Sequence, residues 1–438
     1  MRDVQSNIDG LWILNLSMQF RDRSQREKFF VTYADPSSKW YRVTVSVDYG
    51  NIPKSSELGG LDCLISQEEK ACKIYEALRE SLHKIPFYNT VTNLRVEYDE
   101  GERMCIHVEE DANEIVEYPT LSLFMHIQTL HYRENELQFD SHLSGYVYKV
   151  KVDGLALIKK EIPGPYALDE FMYEVNALNN LQGCPSVVQL QGLVVDDPPG
   201  EEENQDQGPL VKGLLVSYAS KGTLGLILER ATGLDELSWD RRVKWAQQIV
   251  QALSSIHEAG YVQGDFTLSN IVIDENDDAL IIDINRRGCP IGWEPPELKP
   301  LIKSGQRIGM CISTKTDLYQ LGMVLWAIAK ICSEPEREDD LTPLSTTDAP
   351  EFYCDIVDTC LRNRPQERAT ASTLLQSFQH NAKSTSESRQ DDAAVDVADD
   401  EIRKSRRRMD SGLGDIDIDE DNFSVTCDDD RFRPGFKL

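Results

Sequence analysis

The chain has 438 residues, 40% of them hydrophobic, and a formal net charge of −29; that length suits two or three domains, and no apolar run approaches the ~18 residues of a membrane span. The acidity argues against a nucleic-acid binder, because such a surface repels a phosphate backbone. The ten cysteines form no CxxC pair, which fits free thiols in a reducing compartment rather than a disulfide frame or a zinc site.

The start, MRDVQSNIDGLWILNLSMQF, lacks a basic stretch, a long apolar core and a small-residue cleavage site, so no secretory signal is expected. Residues 1–130 read as an N-terminal α+β domain. KWYRVTVSVDYG alternates with period two, as a half-buried strand does. Gln67 to Ile85 carries apolar residues at helical spacing, and LRVEYDEGERMCIHVEED predicts a hairpin turning at Asp99-Glu100-Gly101. No chemical constellation stands out here, and a structural or partner-binding role is expected.

From residue 131 to 380 the pattern becomes strands, a helix, more strands and then mostly helices. GYVYKVKVDGLALIKKEI predicts two strands and a turn, and YALDEFMYEVNALNNL a helix. The polar run Asp196 to Gly208 reads as a loop between two strands. Ser238 to Gly260 is the clearest helix, with a serine at its start and a glycine at its end; His257 on it is expected to be structural. Residues 381–438 form an acidic tail, low in aromatics, that composition predicts to be disordered. Its basic run Arg403 to Arg408 is a candidate nuclear localisation patch.

The chemistry concentrates in YVQGDFTLSNIVID. A carboxylate at Asp265 can take a proton from a hydroxyl nucleophile, and the amide oxygen of Asn270 can ligate Mg²⁺. Asp283, ending the apolar stretch LIID, can supply a second ligand. Together they outline a divalent-metal phosphate site.

These residues resemble the catalytic loop and metal-binding motif of the eukaryotic protein kinases. The pattern H-R-D-L-x-x-x-N falls on Gln263, Gly264, Asp265, Phe266 and Asn270, and D-F-G on Asp283-Ile284-Asn285. Small-molecule phosphotransferases share a similar loop, but the downstream motifs favour protein kinases. Glu297 in WEPPEL resembles the A-P-E glutamate, and Arg368 in CLRNRPQERATAS its arginine partner. Asp317 and Gly322 resemble the buried helix that braces the catalytic loop. The resemblance implies a two-lobed α+β protein-kinase-like fold with an extra N-terminal α+β domain, with ATP and Mg²⁺ bound between the lobes. It implies Asp265 and Lys159 as catalytic residues, and Asn270 and Asp283 as metal ligands. Gly145, Val147, Lys159, Glu174, Ser217 and Ala219 are the expected nucleotide-binding residues. Glu174 would partner Lys159, with Glu170 as the alternative, and Lys160 is expected to face away by strand alternation.

Departures from the family pattern are equally specific. The phosphate-covering loop DSHLSGYV keeps only Gly145, with Asp140 and His142 where glycines belong, and an aspartate there adds charge of the wrong sign. Leu157 takes the place of a small residue two before Lys159, and Thr267 that of a lysine. Only INRRGCPIGWEPP separates Asp283 from Glu297, with no Ser, Thr or Tyr, and Gly264 replaces the arginine that would bind an activating phosphate. The expected function is ATP-dependent phosphotransfer by a divergent serine/threonine-type kinase. The alternatives are a pseudokinase scaffold and a small-molecule kinase. A protein substrate or partner is expected, with no nucleic acid and no membrane; the oligomeric state is left open. The expected location is cytoplasmic, or nuclear if the basic run acts as an address.

Overall fold

The computed structural model describes residues 11–20, 25–35, 39–59, 66–196, 208–231, 237–286, 288–303, 312–338, 341–344 and 348–381. Residues 197–207 of the loop between two strands, the acidic tail beyond residue 381 and the basic run Arg403–Arg408 lie outside the described residues.

The chain opens with a five-stranded sheet, β1 (Leu11–Gln19), β2 (Arg26–Ala34), β3 (Trp40–Asp48), β4 (Val91–Tyr98) and β5 (Met104–Glu110), in that spatial order. β3 and β4 are parallel, and the helix α1 (Gln67–Leu82) makes the crossover between them. A capping box joins Ser66 and Glu69 at the start of α1, so two of the orphaned amides of its first turn are satisfied. Ile74 and Leu78 of α1 bury themselves against Phe29, Val31, Val43, Val45 and Leu94. The hairpin turn falls where expected: Asp99 Oδ1 accepts from the Gly101 and Arg103 amides.

The second sheet is the small lobe. Its strands β6 (Leu130–Arg133), β7 (Gln138–Ser144), β8 (Val147–Val152), β9 (Leu155–Glu161), β10 (Leu190–Asp196) and β11 (Leu210–Ser217) lie in the order β6-β10-β11-β9-β8-β7. The β8–β9 turn has both Asp153 (φ 50°) and Gly154 (φ 82°) in left-handed conformation, the geometry of tight hairpins. β6 is an edge strand parallel to β10. Its four mostly exposed residues carry no alternation, so periodicity could not have announced it. Helix α2 (Leu168–Asn180) packs Phe171, Val175 and Leu178 into the core.

The large lobe follows as β12 (Gly222–Thr223), α3 (Leu224–Arg230), α4 (Trp239–Glu258), β13 (Ile271–Ile273), β14 (Ala279–Ile281), α5 (Lys299–Lys303), α6 (Thr314–Lys330) and α7 (Glu351–Cys360). Ser238 caps α4 by accepting from the Arg241 amide. Gly322 on α6 admits α7 closely, since a Cβ there would lie 2.8 Å from Cys360. Among the described residues, no helix is long and apolar enough to cross a membrane.

The described residues from Leu11 to Phe378 belong to one compact unit. The first sheet lies against the outer face of the small-lobe sheet. Ile13 joins Tyr148, Val150, Leu157, Val194 and Leu215 in one apolar cluster, and Trp40 contacts Phe139 and Tyr148. Both sheets thereby bury a face that would otherwise meet water.

Candidate active site

Strand alternation places the two adjacent lysines on opposite faces of β9, in the sense opposite to the expectation. Lys160 faces the cleft and Lys159 the N-terminal sheet. Lys160 Nζ lies 2.5 Å from Glu174 Oε1 and is ion-paired with Asp283 Oδ1. Lys159 Nζ lies 2.6 Å from Glu134 and 2.7 Å from Glu161, beneath Trp40 and Tyr148. Lys160 therefore takes the cleft position expected of Lys159, and Lys159 is a buried cation under the N-terminal sheet. Leu157 shares the outer face with Lys159, so it does not narrow the adenine slot; Ile158 faces the cleft beside Val216. Two consecutive lysines offer no compositional clue to strand parity, which is set by the packing of Leu157 and Tyr148 under the first sheet.

Electrostatics differ on the two faces. Burial works against the charge of Lys160, but Asp283 and Glu174 more than offset it, so its pKa is raised. On the other side Lys159, Glu134 and Glu161 extend to Arg42 (3.1 Å from Glu161) and Lys212 (3.3 Å from Glu134). Burial pushes the Glu134 carboxyl up, but Lys159 and Lys212 overcome it and bring it from 4.5 down to about 2. A depressed carboxylate contributes stability above its unfolded pKa that is lost as pH falls toward the folded value. Glu134→Gln is therefore expected to destabilise the protein at neutral pH and to flatten the loss of stability between pH 4.5 and about 2. Urea midpoints measured across that window check it.

The loop bearing Asp265 is held by one side chain whose role sequence reasoning passed over. Gln263, in place of the family histidine, accepts from the Asp265 amide through Oε1 at 2.8 Å. Its Nε2 donates to the carbonyls of Ile282 (3.1 Å) and Asp283 (3.3 Å). One buried glutamine thus ties the loop bearing Asp265 to the segment bearing Asp283. Asn270 Nδ2 donates to the Asp265 carbonyl at 2.6 Å, which leaves Oδ1 as the atom with ligand character. The Ile282 amide donates to the Asn270 carbonyl at 3.0 Å, bringing Asn270 beside Asp283. Asp283 has φ 56°, a conformation that non-glycine residues adopt mainly where function or local contacts demand it.

Asp317, wholly buried, accepts from the Gln263 amide (2.9 Å), the Gly264 amide (3.0 Å) and His257 Nε2 (2.8 Å). His257 is structural, as expected. Arg368 makes a bidentate pair with Glu297, both distances 2.7 Å. Gly264 has φ 79°, and a Cβ there would run into the Asn285 carbonyl oxygen. Gly264→Arg, which restores the family residue, is expected to destabilise by about 1–2 kcal/mol from the left-handed backbone alone, and by more from that clash. Denaturant unfolding of the variant measures it.

At the phosphate-covering turn, Asp140 is neutralised rather than adverse. Its carboxylate lies 3.4 Å from Lys149 and 3.0 Å from Lys151, and those lysines hold its pKa below the ordinary value. Gly145 has φ 49°, and Val147 pairs with Lys160 on the cleft side. In the segment joining the lobes, the Ser217 amide donates to the Gln189 carbonyl and its hydroxyl accepts from the Gln189 amide; Ala219 is buried.

Residues 156–378 match the protein tyrosine and serine/threonine kinase family. The chain belongs to the protein kinases. It is 28% identical over 234 residues to mitogen-activated protein kinase kinase kinase 17 of Arabidopsis thaliana, covering 47% of this chain and 58% of that one. It is 25% identical over 236 residues to a probable serine/threonine-protein kinase of Dictyostelium discoideum, covering 48% of this chain and 13% of that one. Identity to the serine/threonine-protein kinase CTR1 of Arabidopsis thaliana is 21% over 238 residues, covering 48% of this chain and 26% of that one. The chain thus spans less than two thirds of these relatives' lengths.

Proposed function

We propose that the protein transfers the γ-phosphoryl group of ATP to a hydroxyl of a protein substrate. The observation that carries this reading is the Lys160 ammonium set between Glu174 and Asp283. A cation so placed, held by one carboxylate and beside another, suits the α- and β-phosphates of a nucleotide. The oxygen donors of Asn270 and Asp283 fit Mg²⁺, which binds through one or two protein oxygens completed by phosphates and water. Among the described residues no three His, Cys, Asp or Glu side chains cluster as a metal cage, so phosphate oxygens would complete the shell. When bound, the ion would neutralise charge on the β- and γ-phosphates.

Asp265 orients the attacking hydroxyl and takes its proton. Its position is fixed from three sides: its amide on Gln263, its carbonyl on Asn270, and the preceding amides on Asp317. The carbonyl of Ser217 and the backbone of Ala219 would meet the adenine edge, with Ile158 and Val216 against the ring.

Activity is independent of phosphorylation in the short segment after Asp283. That segment has no hydroxyl to modify, and helix α2 is tied to the catalytic loop by other means. Tyr173 OH accepts from the Val262 amide at 2.9 Å and donates to its carbonyl at 3.3 Å, while the Arg286 guanidinium lies 4.4 Å over the Tyr173 ring.

A thermal shift with millimolar Mg·ATP tests the reading, since a ligand that binds only the native state raises its stability. The expected result is a rise in melting temperature, with phosphoryl transfer unchanged after phosphatase treatment. No shift at all would instead favour a scaffold without nucleotide.

A further inference from the structure

The N-terminal sheet reaches the nucleotide cleft from behind. Asn15 on β1 is 7% exposed, Thr32 on β2 4% and Tyr148 on β8 1%. Asn15 Nδ2 donates to Tyr148 OH and to the Gly145 carbonyl, both at 2.8 Å. Thr32 Oγ1 donates to Asn15 Oδ1 at 2.8 Å and lies 2.9 Å from Tyr148 OH. The donor assignments follow from chemistry. A carbonyl only accepts, so the nitrogen of Asn15 must face Gly145. Oδ1 then takes the Thr32 proton, and the Tyr148 proton goes to Thr32 oxygen. The ring Thr32–Asn15–Tyr148 closes with each hydroxyl and amide hydrogen used, an arrangement in which the bonds reinforce one another. His142 Nε2 also donates to the Gly145 carbonyl at 2.8 Å, and the Tyr146 carbonyl accepts from the Glu161 amide at 3.0 Å.

We infer that the N-terminal sheet is a built-in clamp on the phosphate-covering turn, with Asn15 and Thr32 as positioning residues for nucleotide binding; this rests on the phosphotransfer reading above. The Gly145–Tyr146 peptide is trans, like every described peptide bond. In a planar trans peptide the carbonyl and the following N–H point opposite ways. Pinning the Gly145 carbonyl toward the N-terminal sheet therefore turns the Tyr146 amide toward the cleft side. A loop with three glycines finds its phosphate contacts by backbone freedom. This turn has one glycine and a fixed carbonyl, so a single amide is held in place from outside the kinase lobes. The acceptor is a phosphate oxygen of the nucleotide. The two added restraints also account for a turn that can do without the two missing glycines: what it lacks in adaptability it has in preorganisation.

The test uses two near-isosteric variants of the full chain, Asn15→Leu and Thr32→Val. The first removes the donor that the N-terminal sheet gives Gly145 and leaves that of His142; the second only releases the ring that orients it, and so is the variant that keeps the test valid if Asn15→Leu folds poorly. Amide hydrogen exchange at Gly145–Val147, without nucleotide, is expected to quicken about tenfold. The KM for Mg·ATP is expected to rise several-fold with kcat nearly unchanged, a split that loss of a merely structural contact would not give. Wild-type exchange rates at this turn in folded variants overturn the clamp. Quickened exchange in a protein that transfers no phosphate upholds the clamp and overturns only the phosphotransfer reading. Quickened exchange with KM unmoved overturns the role assigned to the Tyr146 amide.

Discussion

Lys160→Met is expected to lower phosphoryl transfer by at least about a hundredfold while leaving the fold intact, and Lys159→Met to do the reverse. The lysines are neighbours in sequence and opposites in environment. Lys160 Nζ meets Glu174 and Asp283 at the cleft, where the Asp283 side chain is 38% exposed. Methionine there leaves Asp283 partly in water and takes the lysine from the buried Glu174, so the protein loses some stability but stays folded. The loss falls on charge neutralisation during transfer, where one well-placed group contributes a factor of about 10²–10³. The Lys159 side chain is only 6% exposed, between Glu134 and Glu161. Methionine there takes the shared cation from two partly buried carboxylates, which keep Arg42 and Lys212, and loss of its charged hydrogen bonds costs about 1.5–3 kcal/mol. Urea unfolding and transfer kinetics on both variants separate the two roles. Loss of transfer in both variants with equal stability would contradict the assignment.

Asp317→Ala is expected to cost about 3 kcal/mol or more and to lower transfer together with stability. Its carboxylate satisfies two backbone amides and a histidine in a place water does not reach. Each buried donor left without an acceptor costs about 1–3 kcal/mol. Those amides belong to Gln263 and Gly264, immediately before Asp265, so their release also frees the residue proposed to orient the substrate hydroxyl. Hydrogen exchange should quicken at Gln263–Asn270 first. Asp317→Asn keeps one acceptor oxygen and should lie between the alanine variant and wild type. A denaturant midpoint that falls with unchanged slope identifies this as lost stability rather than an altered unfolded state.

Much of this architecture could be read from residue order. The helix at α4 announced itself by a serine cap, apolar spacing and a closing glycine. The α1 helix and the β4–β5 hairpin did so by periodicity and turn chemistry. That the segments bearing Asp265, Asn270 and Asp283 adjoin followed from their place around short apolar strands. What stayed hidden depends on three-dimensional neighbours. The face of β9 that meets the cleft is decided by packing under the N-terminal sheet, and two lysines in a row look alike from either side. Asp140 looked adverse because Lys149 and Lys151 sit on the next strand, beyond local reach. Gln263, at the histidine position of the family pattern, gave no sign that its amide donates and accepts at once and so ties two segments together. Asn15 and Thr32 gave no signal at all, since a buried amide and a hydroxyl in a strand become informative only once their partner is known.

The most direct measurement is transfer of radiolabelled γ-phosphate from Mg·ATP by wild type, Asp283→Ala and Asp265→Asn side by side. Label incorporated by wild type and lost in both variants, with all three proteins folded, is the predicted result. Incorporation that survives both substitutions would contradict it, because the chemistry would then lie outside the cleft formed by Lys160, Asp265, Asn270 and Asp283.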